Sequence, residues 1–416
     1  MADTLQSIYL PELGEATRGK VRDIYTYSDR LALIASDRIS VFDRLLDEAI
    51  PEKGKVLTQL SLFWFDQTKD IIQNHLLSSP DPNVILVKKC RPILLEVIVR
   101  SYLEGSLWRA YEKGQRKVGN ISLPDGMKRY DKLPQPVVTP TTKNAEGHDE
   151  PISEEALLAQ GIAGKELWKA MKTAAFALFE RGTELLLKRN IILVDTKYEF
   201  GLNSQGQLTL IDEIHTPDSS RFWYQDANGN TVHTSPDKEF VRAYCINQGF
   251  SGDGKHPTLP AAIVAEVSSK YCSLYKTITG QALPKEDGCI LQRLLRHLKA
   301  ARLIKGTFIL LITDGPSHTL ANKLAECGLA YARHSIDEDP RDIAERYNQS
   351  LEPIVCICES KSQAYIDKLA KTLRWPLIII AETLGNSINQ NIIYTDASHR
   401  AIDKAKQLLL SMEQQT

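Results

Sequence analysis

IILVDTKYEFGLNSQGQLTLIDEIHTPDSSRFW, residues 191–223, is the stretch that decides how this chain is read. Its first half alternates as a strand does. Asp195, Lys197 and Glu199 fall on one side and Val194, Tyr198 and Phe200 on the other, because successive side chains leave opposite faces of a strand. The apolar side predicts packing on a core. The charged side holds two carboxylates and an amine, which a protein does not bury without partners. A polar turn, Asn203 to Gln207, leads into a second strand, LTLIDE, that ends in Asp212 and Glu213. The register of this hairpin decides whether Glu199 and Asp212 share a face, and a slip of one residue parts them. Two carboxylates beside a lysine suit a divalent cation that holds nucleotide phosphates, with hard oxygens for Mg²⁺ and an ammonium for phosphate. A solvated hairpin face carrying ordinary ion pairs is the other reading of the same pattern.

The 416 residues are enough for two or three domains at roughly 150 residues each. Lys and Arg number 51 against 52 Asp and Glu, so there is no cationic excess for a polyanion, and nucleic acid is not expected as a partner. A phosphate site here has to be a local cluster. The cysteines (90, 245, 272, 289, 327, 356 and 358) are scattered, odd in number and without a CxxC pair, which predicts neither a disulfide framework nor a zinc site. The opening MADTLQSIYLPELGE has no basic and apolar signal pattern, and the longest apolar runs, FILLI and PLIIIA, are far shorter than a membrane span. The chain reads as soluble and cytoplasmic, with no membrane partner.

Working outward, the first 110 or so residues read as strand-rich (GKVRDIYTY, LALIAS, NVILVKK, ILLEVIVR), with a helix near VLTQLSLFWFDQT. Residues 113–152 are irregular and carry five prolines from Pro124 onward, a length of loop that is usually functional. Helical spacing follows in KELWKAMKTAAFALFERGTELLLKRN, and after the hairpin near Pro236 and from Pro260. QALPKEDG and the basic helix CILQRLLRHLKAARLIKG lead to a tail that alternates strand and helix from Thr307, which argues for a small α/β domain on a parallel sheet.

Several clusters suit anions. Gly19, Lys20 and Arg22 in GKVRDIY put a glycine and two cations at a strand start, a pattern that is weak alone. In LLEVIVRSYLEGS, Leu95, Val97 and Val99 share one face and Glu96, Ile98 and Arg100 the other, with Gly105-Ser106 following. Arg100 and Ser106 offer donors for a phosphate, and an Arg100–Glu96 ion pair is the alternative. TPTTKNAEGHDEPIS gathers Lys143, Glu146, His148, Asp149 and Glu150 in the long loop, and loops of this kind close over sites. TPDSSRFW joins Asp218, Ser220 and Arg221 in a further anion cradle.

In this order, GKVRDIY, SDRIS-x-FD, IPEKG, LLEVIVR, GS-x-W, TP-x-TK-x-x-x-GHDE, DTK-x-EFG and DE-x-x-TPDSSRFW resemble the SAICAR synthetase family, from about Gly19 to Gly280. The resemblance implies an α+β, two-lobed ATP-binding fold over residues 1–285, with a small lobe over about 1–110 and a large lobe over about 111–285. Residues 286–306 then read as linker and helix, and 307–416 as the α/β domain. It implies a ligase that joins the carboxylate of carboxyaminoimidazole ribonucleotide to the amine of L-aspartate, with ATP and Mg²⁺ as cofactors. A carboxylate resists an amine until it is activated, most simply as an acyl phosphate, and that step needs cations around the migrating phosphoryl group. By the same resemblance Gly19, Lys20, Arg22 and Lys143 meet the ATP phosphates, and Glu199 and Asp212 hold Mg²⁺. Lys197 neutralises charge at the reacting groups with Asp195 supporting it. Arg100, Ser106, Asp218, Ser220 and Arg221 bind the ribonucleotide, and His148 and Asp149 close the loop on it.

The tail resembles a degenerate aminoimidazole ribonucleotide carboxylase. LLITDGPSH stands where that family has a phosphate loop, but HSIDEDPR replaces its Ser-Ala-His-Arg stretch and the later glycine-rich loop is missing. An oligomerising or regulatory role is therefore expected of it rather than carboxylation. The alternatives are a bifunctional purine enzyme, an inactive nucleotide-binding scaffold, and a small-molecule kinase.

Overall fold

Ile191–Leu202 and Leu208–Ile211 form the hairpin that the sequence predicts, and its turn is closed by Asn203, whose Oδ1 accepts from the backbone of Gln205 and Gln207 at 2.9 and 3.0 Å. The structure, a computed structural model, describes residues 4–10, 13–119, 121–143, 150–233, 238–285 and 290–304, and beyond them the five strands Phe308–Thr313, Tyr331–Ser335, Ile354–Glu359, Leu377–Ile380 and Ile392–Thr395. The chain divides into two units, residues 39–78 with 86–283, and residues 1–38 with 79–85 and 284–416.

In the first unit the long strand Ile191–Leu202 is the centre of a six-stranded antiparallel sheet. Arg91–Tyr102 pairs on one side, with Lys132–Thr142 beyond it; Ser220–Gln225 pairs on the other, followed by Thr231–Val232, and Leu208–Ile211 also pairs with the central strand. One face is covered by the helix Lys165–Leu187, which buries Trp168, Met171, Ala175, Leu178, Phe179 and Leu186, positions three or four apart that fall on one side of a helix. These meet Leu95, Val97, Val99, Tyr198 and Phe200 in one core, together with Trp64 of the helix Lys53–Gln67 and Tyr271 of the helix Ala261–Thr279.

Strict alternation fails at one place in the central strand. Leu193 lies opposite Phe222 but Asp195 lies opposite Arg221, so two steps on the central strand match one on its neighbour and Val194 is the extra residue. The slip exchanges the two faces. Before it, Ile191 and Leu193 enter the main core; after it, Tyr198 and Phe200 do, while Val194 joins Ile192 and Trp223 in a separate apolar cluster on the opposite side. The expectation that Val194 shares a face with Tyr198 and Phe200 is thus corrected. Asp195, Lys197 and Glu199 do share the charged face.

In the second unit Glu15–Arg18, Arg22–Tyr27 and Arg30–Ala35 pair as successive antiparallel strands. The basic helix Ile290–Ala300 belongs here too. Its Arg293 is 2% exposed, with its guanidinium on Asp81 at 3.0 and 3.1 Å and on Asn83 at 2.5 Å, and Leu294, Leu295 and Leu298 are buried beside it. The five tail strands pair in parallel in the chain order 2-1-3-4-5, and Ile8–Tyr9 adds an antiparallel strand on Tyr331–Ser335. Among the described residues no helix is long and apolar enough to cross a membrane, and Cys90, Cys245 and Cys272 are free thiols.

Gly182 sits inside a 23-residue helix, where alanine is normally preferred by about 1 kcal/mol. Packing overrides that preference, because a Cβ on Gly182 falls 2.4 Å from Cε1 of His215. Gly182→Ala is expected to lower the urea midpoint, with a net loss of roughly 1–3 kcal/mol from overpacking. A gain of about 1 kcal/mol, the helix-propensity value, would show that the His215 ring yields freely.

Candidate active site

The register of the central strand builds the site. Asp195 stands directly opposite Arg100 on one neighbour and Arg221 on the other, and its Oδ2 accepts from both guanidinium groups, at 3.1 and 2.5 Å. One row along, Lys197 lies opposite Ile98; a further row along, Glu199 lies opposite Glu96 and Ile211. Two carboxylates facing each other across strands repel. Here the Lys197 ammonium sits between them, 2.7 Å from Glu96 Oε1 and 2.9 Å from Glu199 Oε1, while Lys143 donates to the other oxygen of Glu199.

A cavity of about 400 Å³ opens on this face. Its wall carries six cationic side chains (Arg100, Arg109, Lys197, Arg221, Lys238 and Arg242) against the four carboxylates of Asp43, Asp195, Asp218 and Glu239. The excess of two positive charges matches a phosphate monoester, which carries roughly −1.5 to −2 at neutral pH. Arg100 also donates to Thr139 Oγ1 at 2.9 Å and to Ser106 Oγ at 3.1 Å, so the guanidinium is aimed before any ligand arrives. Gly105, at φ +62°, is required next to it: a Cβ there would lie 2.6–2.8 Å from the Arg221 guanidinium.

A family model described as SAICAR synthetase matches residues 15–257. The phosphoribosylaminoimidazole-succinocarboxamide synthase of Cytophaga hutchinsonii is 45% identical over 68% of this chain and 94% of its own length. The chain belongs to the SAICAR synthetase family. It is accordingly an ATP-dependent carboxylate–amine ligase of purine biosynthesis. Among solved structures, the SAICAR synthase of Saccharomyces cerevisiae, described as complexed with SAICAR, is 32% identical with a TM-score of 0.59, covering 68% of this chain and all of that one. A SAICAR synthetase described as complexed with ADP is 27% identical with a TM-score of 0.51, covering 65% of this chain and all of that one. About a third of the present chain has no counterpart in these relatives. Neither the bifunctional enzyme nor the inactive scaffold is favoured by these matches.

The residues expected from the SAICAR synthetase motifs fall into two groups. Arg100, Ser106, Lys143, Asp195, Lys197, Glu199, Asp212, Asp218, Ser220 and Arg221 all belong to the first unit. Asp195 was expected to support Lys197; it shares the charged face with Lys197, and its carboxylate pairs with Arg100 and Arg221. Arg100 does not pair with Glu96, whose partner is Lys197. Asp212 follows Ile211, the partner of Glu199; the strand has ended there and Asp212 takes φ +65°, so its placement is not set by alternation, although its charge still acts on Lys197. Gly19, Lys20 and Arg22 lie in the second unit. There Gly19 N donates to Arg22 O at 2.8 Å, and the buried Arg38 donates to the carbonyls of Gly19 and Lys20 and to Asp23 Oδ1. His148 and Asp149 lie outside the described residues. Sequence reasoning missed Lys238, Arg242, Arg109 and Lys53. Lys238 and Arg242 are four apart on the helix Lys238–Asn247 and face one way, a signal present in KEFVR but unused.

Burial works against the charges of Lys197 and Glu199 and their neighbours overcome it, whereas at Arg100 burial prevails over Asp195 and lowers the proton affinity of the guanidinium. Lys197 loses by burial, yet Glu199, Glu96 and Asp212 hold it well above the usual lysine range. Burial opposes ionisation of Glu199, but Lys197 and Lys143 bring its carboxyl down to about 2. At neutral pH Lys197 is an ammonium and Glu199 a carboxylate.

The segment between Ile211 and Ser220 ties the two ends of the site together and is pinned at His215. That ring is wholly buried, 2.5 Å from the Tyr198 hydroxyl, edge-on to Trp64 and against Gly182. Burial lowers its pKa to about 3. In the unfolded chain the group binds its proton near pH 6.5. Below that value the unfolded state gains a proton that the folded state refuses, so this contribution to stability is intact above pH 6.5 and lost as pH falls toward 3. At pH 5 the loss amounts to about 2 kcal/mol. Urea midpoints at pH 7 and pH 5 should show the fall, and His215→Phe should remove one proton's worth of that slope.

Proposed function

We propose that the charged face of the central strand is the ligase site, that the cavity between Arg100 and Arg221 takes the 5′-phosphate of carboxyaminoimidazole ribonucleotide, and that L-aspartate supplies the amine. The single observation that carries this reading is the adjacency of two rows: Arg100–Asp195–Arg221, with the cavity's surplus positive charge, lies two residues along the strand from Glu96–Lys197–Glu199. One row suits a phosphate handle and the next a phosphoryl transfer. A structural relative described as complexed with SAICAR and another with ADP support both halves.

The chemistry asked of these residues is specific. An oxygen of the substrate carboxylate attacks the γ-phosphorus of ATP and ADP leaves; the aspartate amine then attacks the acyl carbon, phosphate leaves and the nitrogen gives up a proton. Lys197 stays protonated throughout, which suits it to stabilise transferring phosphoryl oxygens rather than to accept a proton. Ser106 and Ser220 border the phosphate handle, and Asp195 keeps the two arginines aimed. Lys143, half-exposed on its ion pair with Glu199, meets the nucleotide.

Glu199 and Asp212 would hold Mg²⁺. The donor set offers two hard-oxygen carboxylates, of which Glu199 is held ionised by Lys197 and Lys143; among the described residues no group of three or more His, Cys, Asp or Glu could hold a metal by itself. Mg²⁺ is commonly held by one or two carboxylates with waters and substrate phosphates completing its shell. When bound it supplies charge neutralisation at the β- and γ-phosphates. On the family resemblance we assign Gly19, Lys20 and Arg22 to the ATP phosphates and His148 and Asp149 to the ribonucleotide. Domain boundaries at 285 and 307, a cytoplasmic location, and an oligomerising or regulatory tail are parts of the same proposal.

ADP release measured with Mg²⁺, ATP and carboxyaminoimidazole ribonucleotide, with and without L-aspartate, tests it. Release is expected only with aspartate, and Glu199→Ala is expected to lower it by roughly 10²–10³-fold. Release without aspartate would identify a kinase instead.

A further inference from the structure

Lys53 is a lysine with no exposed surface, at the start of the helix Lys53–Gln67, and it does not line the cavity. An ammonium is not buried in this way without a partner that needs it. Its Nζ lies 2.8 Å from Asp218 Oδ2, and the Tyr271 hydroxyl donates to the other oxygen, Oδ1, at 2.9 Å. Both oxygens of Asp218 are therefore engaged from behind the cavity wall. In front of the wall Lys238 reaches the same Oδ2 only at 3.8 Å, beyond hydrogen-bonding distance, and donates instead to Ser40 Oγ at 3.2 Å.

Lys238 thus faces the cavity without a hydrogen-bonded carboxylate among the described residues, whereas Arg221 and Arg242 already have acids in contact. Among the described residues the carboxylate within ion-pair distance of it is Asp218, at 3.8 Å, and Lys53 and Tyr271 hold that anion back. We propose that Lys53 is a positioning residue of the ligase site: by keeping Asp218 on its own side, it leaves the Lys238 ammonium available to the anionic substrate in the cavity. Asp218, expected from its motif to bind substrate, acts by this geometry as the adjustable element, and whether its charge is held back or released sets the affinity of the cavity for anions. The inference rests on the reading of the cavity as the ribonucleotide site.

Burial supports the arrangement. Desolvation lowers the proton affinity of Lys238, with Asp218 opposing, as expected for a cation that is short of negative charge until a ligand arrives. Asp218 itself is pushed toward the neutral form by burial, but Lys53 and Lys238 hold it well below the usual carboxylate range, so it remains an anion that must be placed.

Calorimetric titration of the full chain with carboxyaminoimidazole ribonucleotide tests this, with wild type, Lys53→Met, and Lys53→Met combined with Asp218→Asn. Wild type is expected to bind; if it does not, the ribonucleotide reading fails and takes this inference with it. Lys53→Met is expected to weaken binding by about tenfold or more as Asp218 closes on Lys238, while ATP binding is unchanged. The double variant, having lost the competing charge, is expected to recover most of the affinity. A role confined to folding predicts no recovery, so equal weakening in the single and double variants overturns the proposal, as does unaltered binding in Lys53→Met. Should Lys53→Met fail to fold, Tyr271→Phe frees Asp218 Oδ1 and is expected to weaken ribonucleotide binding several-fold with ATP binding unchanged; wild-type affinity there overturns it equally.

Discussion

Glu96 and Glu199 stand opposite each other on paired strands, and the ammonium of Lys197 between them is what makes that register tolerable. Two like charges about 4 Å apart repel by about 1 kcal/mol in water and about 4 kcal/mol at the effective dielectric typical near a protein surface. One cation in contact with both reverses the sign. The register cannot relax to relieve the pair either, because a one-residue slip would carry Tyr198 and Phe200 out of the core and Lys197 into it. Hydrophobic packing on one side of the sheet therefore fixes the charges on the other side, and the charges are compatible with each other only as a set.

The slip at Val194 is the second constraint. Without it the odd-numbered residues would face the core along the whole strand, and Asp195, Lys197 and Glu199 would be buried among Leu95, Val97 and Phe222. A single extra residue lets the strand fill the main core with Ile191 and Leu193, exchange faces, and then present three ionisable groups in succession to the cavity side. The same slip sets Asp195 opposite Arg221 while its other edge already faces Arg100, so one carboxylate aims two guanidinium groups from adjacent strands. Irregularities of this sort are concentrated beside functional sites because they re-aim side chains without lengthening the sheet.

These two features mark the limit of what was legible beforehand. The hairpin, the charged triplet on one face, the helix over residues 165–187 and the separation of Glu96, Ile98 and Arg100 from Leu95, Val97 and Val99 are all consequences of local periodicity, and local periodicity is written in the chain. The slip at Val194 is not, since nothing in IILVDTK distinguishes a regular strand from one with an extra residue. Partner choice was equally hidden. Arg100 had Glu96 four residues away on the same strand face and took Asp195, 95 residues away, because only the folded register brings that carboxylate opposite. Nothing local in PEKGK or LQRLLRH marks Lys53 or Arg293 for burial, and each proves to be almost fully buried against a distant aspartate. Long-range ion pairs have no periodic signature, and motif resemblance marked PEKG without showing what its lysine does.

The arrangement also says why so much charge is held under cover. A surface site would screen Lys197, Arg100 and Arg221 within a Debye length of about 8 Å at physiological salt, and would have to order long side chains each time a ligand bound. Here the carboxylates of Glu96, Glu199 and Asp195 do that ordering in advance, and Asp218 is itself ordered by Lys53 and Tyr271 from behind the wall. Each ion pair is weak grounds for stability, since burial takes back most of what attraction supplies. Their value lies in position: a lattice of opposed charges, individually desolvated and mutually fixed, presents preset dipoles to a substrate whose reaction moves negative charge from one oxygen to another, and no reorganisation is left to be done when that charge arrives.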